Sequence, residues 1–157
     1  MIFVTLGTQD KEFKRLLTKV DQLINKGIIK DEVIAQVGCT KYSSSNMKII
    51  DYLNRDDVLK YIEQSQYVIC HGGVGTIIDS LNLNKKVIAV ARLSKYGEHV
   101  NDHQLEIVSE FEKDGFIING TNNLEKAISK LKDFKPKKYK SNNENFVNLI
   151  SDYIDNN

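Results

Sequence analysis

A glycine-rich turn is the stretch of this sequence best suited to binding chemistry. His71-Gly72-Gly73-Val74-Gly75-Thr76 follows the short apolar run from Tyr67 to Cys70. The three glycines remove the side chains that would keep a phosphate away from the backbone, and Thr76 adds a hydroxyl donor. The segment is therefore suited to a diphosphate. The alternative is a tight strand-to-helix turn that needs glycine only for its backbone angles, and the turn by itself does not decide between them.

Two familiar phosphate-binding signatures are absent from the sequence. Gly73-Val74-Gly75 begins a G-x-G-x-x-G pattern, but Ile78 occupies its last position. No G-x-x-x-x-G-K-[ST] pattern occurs anywhere in the chain. An NAD-type oxidoreductase and a P-loop protein are therefore disfavoured.

A second polar cluster runs from Glu98 to Gln104. We expect it to begin a helix of about Glu98 to Glu112, with His103 and Gln104 on the same inward face as Val100. His99 and His103 would then be four residues apart on that helix, a spacing that could hold a metal ion. However, no H-E-x-x-H pattern occurs and this part of the chain has no cysteine. The sequence therefore disfavours a metal site here.

Short apolar runs alternate with helical patterns along the chain. The predicted strands are Ile2 to Leu6, Val33 to Val37, Met47 to Ile50, Tyr67 to Cys70, Val87 to Val90 and Phe116 to Ile118. Helices are expected between them, one capped by Asp56 or Asp57, one from Ile77 to Leu83, and one with a capping box of Asn122 and Glu125. This alternation predicts an α/β fold, a Rossmann-like parallel sheet with helices on both faces. Ligands bind such sheets at the carboxyl ends of the strands, where both polar clusters fall.

Length and composition indicate one main domain, in a protein of the cytosol. With 157 residues and 41% apolar content, the chain supports one core. We assign residues 1–135 to the α/β domain and residues 136–157, which begin at Pro136, to a helical arm suited to docking a partner. The near balance of 22 Lys and Arg against 21 Asp and Glu disfavours nucleic acid as a partner. Cys39 and Cys70 are expected to be reduced core residues, and no signal peptide or spanning helix is evident.

Several spaced blocks together resemble the C-terminal domain of glycosyltransferase family 28. These blocks are the glycine-rich turn, Asp79, Val87 to Arg92, Glu98-His99 and His103-Gln104. The opening from Phe3 to Gln9, with Phe13 and Leu16, is similar to the start of the short, free-standing members of the family. The resemblance implies the donor-binding half of a GT-B glycosyltransferase, a UDP-sugar-binding subunit that works with a separate acceptor-binding subunit.

The resemblance also implies roles for single residues in holding the UDP-sugar. The diphosphate would lie against Gly72, Gly73, Gly75 and Thr76, with His71 beside it and Gly7 and Thr8 on the phosphate side. Asp79 falls where relatives usually carry a ribose-binding glutamate. Gln104, together with His103, falls where a glutamine holds sugar hydroxyls. Two positions depart from the pattern, because Asp79 is one methylene shorter than glutamate and Ala91 replaces a proline.

The hypothesis that follows is a two-component inverting glycosyltransferase. This chain would be the UDP-sugar-binding catalytic subunit, transferring a hexose or N-acetylhexosamine to a lipid-linked saccharide in capsular or exopolysaccharide biosynthesis. Its partner would be a membrane-associated subunit that binds the acceptor and supplies the general base, which would keep this chain cytoplasmic and peripheral at the inner face of the membrane. The alternative is a non-catalytic nucleotide-sugar-binding or stabilising subunit.

No metal ion or other cofactor is expected in this reaction. The chain contains no D-x-D motif, which commonly bridges a metal to a nucleotide-sugar. Fixed N–H dipoles at the helix that begins near Gly75 can instead stabilise the charge that develops on the departing diphosphate. We therefore predict metal-independent catalysis.

Overall fold

The structure, a computed structural model, describes residues 1–140 and shows one six-stranded sheet with helices around it. Its strands are β1 (Ile2–Thr5), β2 (Val33–Gln36), β3 (Lys48–Ile50), β4 (Tyr67–His71), β5 (Lys86–Val90) and β6 (Ile118–Asn119). Its helices are α1 (Lys14–Asn25), α2 (Arg55–Gln64), α3 (Val74–Asn82), α4 (His103–Lys113) and α5 (Leu124–Lys130), with a short 3-10 helix at Ser94–Tyr96. The predicted arm of residues 136–157 lies mostly outside the described residues.

Helices cover both faces of the sheet, as the sequence predicts. One core joins the side chains of α1 and α5 to one face, where Ile2 and Val4 of β1 point. The other joins α2, α3 and α4 to the opposite face, where Phe3 points. Because both faces are buried, the strands are continuous apolar runs rather than alternating ones.

The order of the strands creates a crevice between β1 and β4. All strand pairs are parallel, and the order is β3-β2-β1-β4-β5-β6. The chain winds outwards in one direction from β1 and in the other from β4, which leaves a gap between the loops at their carboxyl ends. Thr5 is in register with Cys70, so the loops that begin at Leu6 and Gly72 lie next to each other.

Helix α4 begins later than the sequence predicts. It begins at His103, with Asp102 at its N-cap, and not at Glu98. The preceding loop turns at Gly97, which has a left-handed φ of 68°, and the Glu98 carboxylate accepts the backbone N–H of Leu93. The prediction that His99 and His103 share a helix is therefore wrong. Val100 is 76% exposed, so the prediction that it points inward is also wrong.

Three helix starts differ in detail from their prediction. Asn54, not Asp56 or Asp57, caps α2, because its Oδ1 accepts the N–H of Asp57 at 2.8 Å. Asn123, not Asn122, caps α5 through the N–H of Lys126. Helix α3 begins at Val74 rather than Ile77, directly after the N-cap Gly73. The earlier start places the last glycine of the turn within the first turn of the helix.

The segment that follows α5 returns to the domain. The backbone N–H of Lys137 donates to the carbonyl of Gly115 at 2.9 Å, and the ring of Tyr139 packs edge-on against Phe116. Across residues 1–140, each helix is too short or too polar to cross a membrane.

Candidate functional site

A cleft of about 700 Å³ opens at the carboxyl ends of β1 and β4. It brings together most of the residues that the sequence predicts for the site, namely Gly7, Thr8, His71, Gly73, Gly75, Thr76 and Asp79. It also contains residues that the sequence analysis did not single out, namely Thr5, Gln9, Asp10, Gln36, Leu53, Arg55 and Val58. Gly72, His103 and Gln104 do not line this cleft.

Two of the glycines are required by their contact with His71. A β-carbon at Gly7, whose φ is +73°, would lie 2.8 Å from Cε1 of the imidazole. A β-carbon at Gly73 would lie 2.8 Å from both ring nitrogens. Real β-carbons essentially never make contacts this short, so a side chain at either position would force the buried ring to move. Gly72 serves packing instead, because a β-carbon there would lie 2.9 Å from Val108 of α4.

His71 is a buried, neutral imidazole at the wall of the cleft. Burial, together with the positive charge of Arg92 and the neighbouring His99, lowers the pKa of His71 to about 3. Its Nδ1 has no hydrogen-bond partner within residues 1–140. A neutral imidazole carries one N–H donor and one acceptor nitrogen. The ring can therefore contribute a hydrogen bond to a ligand in the cleft without titrating near neutral pH.

The start of α3 has features that suit an anion beside this ring. Gly73 is the N-cap and provides no side-chain cap, so the N–H groups of the first turn are left for a ligand. The positive end of the helix dipole lies at the same place. A β-carbon at Gly75 would have no heavy atom within 4 Å, so the backbone there faces open space. Together these features favour a phosphate group.

Asp79 lies one turn further along α3 and is held by an arginine. The guanidinium of Arg55 donates to both carboxylate oxygens of Asp79, over 3.1 and 3.0 Å. The Arg55 side chain is 71% exposed, whereas that of Asp79 is only 18% exposed. No sequence pattern marks Arg55, because the packing of α2 against α3 is what brings it to Asp79.

Apolar and amide side chains also line the cleft. Leu53 and Val58, on either side of the start of α2, line the cleft beside the ion pair. The Thr5 hydroxyl donates to Oε1 of Gln36 at 2.9 Å, and the N–H of Gly7 donates to the Thr5 hydroxyl oxygen. These residues give the cleft an apolar surface and an amide group that a ligand can contact.

Gln104 does not line the cleft, and its side chain binds backbone groups of two loops instead. Its side chain is buried, and its Oε1 accepts the backbone N–H groups of Gly72 and Arg92, each at 3.1 Å. His103, the first residue of α4, is partly buried, and its Nδ1 lies 3.3 Å from a carboxylate oxygen of Glu106. Contact of His103 or Gln104 with a sugar stays a prediction. For Gln104 the structure shows a positioning role that the sequence does not indicate.

A buried arginine connects the loops around the cleft. The guanidinium of Arg92 donates to the carbonyl oxygens of Leu6, Lys11 and Glu98. It lies over the ring of Phe13 with a distance of 4.9 Å to the ring centroid, and burial lowers its pKa. Arg92 therefore joins the loop that carries Gly7 and Thr8 to the loop that precedes α4.

The remaining reactive side chains form no further centre in the described part of the chain. Burial raises the pKa of the Cys70 thiol to about 12, so this cysteine is protonated and inert. Cys39 is partly buried and its thiol donates to the carbonyl of Gln9. Within residues 1–140, no three His, Cys, Asp or Glu side chains are grouped as a metal site requires.

Sequence comparison connects this chain to a known family. Residues 1–156 match the model of the glycosyltransferase family 28 C-terminal domain. The UDP-N-acetylglucosamine transferase subunit ALG13 of Candida albicans is 33% identical over 81 residues, which are 52% of this chain and 26% of the relative. Its namesake in Debaryomyces hansenii is 33% identical over 108 residues, or 68% of this chain and 46% of the relative. The aligned parts are less than half of each relative's own length.

Solved structures share the fold. An NMR solution structure of ALG13 superposes with a TM-score of 0.60 at 22% identity and covers 94% of this chain and 93% of that one. The glycosyltransferase SnogD from Streptomyces nogalater superposes with a TM-score of 0.58 at 17% identity, over 83% of this chain and 34% of that one. At these identities the comparison concerns the fold alone, and it confirms the predicted α/β class.

Proposed function

The chain belongs to the family of glycosyltransferase family 28 C-terminal domains, and from this premise we propose that it is the UDP-sugar-binding catalytic subunit of a two-component inverting glycosyltransferase. One observation supports this above all. The cleft combines the uncapped start of α3, the neutral His71 and the Asp79 carboxylate along one wall. Those are the groups needed for a diphosphate followed by a ribose.

We propose that each part of UDP has its own place in the cleft. The diphosphate lies at the first turn of α3, against Gly73, Gly75 and Thr76, where N–H groups and the helix dipole favour negative charge. The ribose hydroxyls donate to Asp79, one turn further along. The uracil ring then lies against Leu53 and Val58, which are apolar residues of the cleft lining.

In the proposed reaction an acceptor hydroxyl oxygen attacks the anomeric carbon of the sugar. The bond from that carbon to the diphosphate oxygen breaks, the configuration inverts, and UDP leaves with the bonding electron pair. The N–H groups of α3 and the neutral His71 ring stabilise the charge that develops on UDP, without a metal ion. The proton of the acceptor passes to a general base that we expect on the partner subunit.

The choice of sugar and of partner is also a proposal. The two relatives are named as subunits of UDP-N-acetylglucosamine transferases, which favours an N-acetylhexosamine and a second subunit here. We propose a membrane-associated partner that binds a lipid-linked saccharide and holds this chain at the cytoplasmic face. The capsular or exopolysaccharide setting draws no support from these relatives, and it stays a prediction.

The experiment that tests the proposal measures nucleotide binding and transfer together. UDP should raise the unfolding temperature, since a ligand at 100 times its Kd stabilises by about 2.7 kcal/mol, whereas uridine should have a much smaller effect. Gly75→Val, which directs two methyl groups into open space, should abolish the UDP effect. Glu125→Gln, at an exposed position on α5, is the control and should behave like the wild type.

Two results would contradict the proposal. If no uridine nucleotide raises the unfolding temperature, the chain does not bind UDP in this cleft. If Gly75→Val abolishes UDP binding but the reconstituted two-subunit enzyme still transfers sugar, the alternative of a non-catalytic binding or stabilising subunit is correct.

A further inference from the structure

The bidentate contact of Arg55 with Asp79 joins an exposed side chain to a mostly buried carboxylate. Arg55 is the first residue of α2, and most of its side chain is exposed to solvent. A mostly buried carboxylate needs a partner for its charge, and any nearby cation can supply it. Yet both oxygens of Asp79 accept an N–H from the guanidinium, at the wall of the cleft.

The geometry of this contact determines what Asp79 can still do. A carboxylate has about four lone-pair sites, and a bidentate arginine uses one on each oxygen. The two parallel hydrogen bonds from the guanidinium fix the plane of the carboxylate. They leave one lone pair on each carboxylate oxygen for another donor. Two neighbouring hydroxyl groups of a ligand could donate to these two free lone pairs, one to each oxygen.

We propose that Arg55 is a positioning residue that sets the Asp79 carboxylate to accept both ribose hydroxyls of the nucleotide. This inference rests on the proposed function, because it takes the ligand to be a uridine nucleotide. Asp79 is a short side chain, so its reach depends on its orientation. Arg55, on a different helix, supplies that orientation through its two hydrogen bonds.

The charge of Arg55 has a separate effect that must be distinguished from its geometry. An isolated carboxylate next to the diphosphate would repel it, and any cation near Asp79 would reduce that repulsion. Arg55→Lys keeps the charge but loses the planar fork. Lysine should therefore restore the affinity for UDP in part while leaving the recognition of ribose impaired.

The test compares UDP with 2′-deoxy-UDP and 3′-deoxy-UDP by calorimetry on the full chain. Wild-type protein should bind each deoxy analogue roughly tenfold more weakly than UDP, as expected for one hydrogen bond to a charged group. Asp79→Asn should lose most of this preference. Arg55→Met and Arg55→Lys should reduce it to about threefold or less by the same reasoning, while Lys60→Met, an exposed change on the same helix, should retain it.

Each other outcome has a definite meaning. If Asp79→Asn loses the preference for ribose but Arg55→Met keeps it, the inference is wrong and the proposed function stands. If Arg55→Met weakens UDP and both deoxy analogues equally, Arg55 contacts the phosphates or only screens charge, and the inference is again wrong. If the wild type binds UDP and the two deoxy analogues equally well, Asp79 does not bind the ribose hydroxyls, and the inference is wrong. Absence of UDP binding by the wild type would refute the proposed function and this inference with it.

Discussion

Gly7 and His71 touch across the two central strands of the sheet, so closely that a β-carbon on Gly7 would lie 2.8 Å from Cε1 and 3.0 Å from Cδ2 of the imidazole. The two residues come from the ends of β1 and β4, where the strand order reverses. The shape of the proposed diphosphate site therefore depends on how the His71 ring packs against the backbone at Gly7 and Gly73.

Gly7→Ala should destabilise the protein more than a matched glycine change elsewhere. Gly27 has almost the same backbone angle, with a φ of +74° against +73° at Gly7, but a β-carbon there would meet nothing within 4 Å. Gly27→Ala should cost about 1–2 kcal/mol for the left-handed backbone alone. Gly7→Ala should cost roughly 1–3 kcal/mol more, because the methyl group overlaps with the ring. Urea unfolding of the two variants measures the difference, and equal losses would show that the contact with His71 is unimportant.

His71 should make the protein less stable in mild acid. Its pKa is about 3 in the folded chain against an ordinary value of 6.5, so the unfolded chain binds the proton more readily. The folded state therefore loses stability as the pH falls from 6.5 towards 3, by on the order of 2 kcal/mol at pH 5. His71→Gln should show a smaller loss between pH 7.5 and pH 5 in urea unfolding. His99 and Asp102 are common to both proteins, so an identical pH dependence would mean that His71 is not buried neutral.

Gln104→Ala should destabilise the protein even when no nucleotide is present. The change leaves the buried N–H groups of Gly72 and Arg92 without their acceptor, at about 1–3 kcal/mol for each unsatisfied group. Gln104→Glu keeps an acceptor oxygen and should be less affected. His103→Ala, at the neighbouring and partly buried position, is the control. If Gln104→Ala unfolds like the wild type in the absence of ligand, its main role is contact with the sugar and not the support of the backbone.

Chelators should leave UDP binding and sugar transfer unchanged. The proposed stabilisation of the leaving UDP comes from N–H groups at the start of α3 and from His71, and these need no ion. Calorimetry with UDP in EDTA and in manganese should give the same Kd, and turnover with the partner subunit should be equal in both. A loss of turnover in EDTA that manganese restores would show that a metal ion takes part.

The glycine-rich part of the candidate site could be predicted because it is local in sequence. The glycines after β4 and Thr76 mark the turn from strand to helix, whereas Asp79 follows only from the family resemblance, since the predicted helix begins at Ile77. The six apolar runs and their spacing likewise predict the parallel sheet. These features depend on neighbouring residues, and therefore appear as patterns.

The rest depends on contacts between distant residues. Arg55 reaches Asp79 only because α2 packs against α3, and nothing near Arg55 in the sequence indicates it. The start of α4 is displaced because Glu98, which the helical pattern includes, is held by Arg15 from α1 in a loop conformation. Gln104 is predicted to point inward and to hold sugar hydroxyls, and its side chain is indeed buried, but its amide oxygen accepts backbone N–H groups from two distant loops.

The hydrogen bonds of Gln104 and Arg92 determine how the cleft meets its ligand. Between them, these two side chains fix backbone groups after β1, β4 and β5 and before α4. The glycine-rich segment is consequently part of the folded core and not an independent flap. If a nucleotide binds as proposed, it meets a surface that is already formed, so little conformational entropy of the protein is lost on binding.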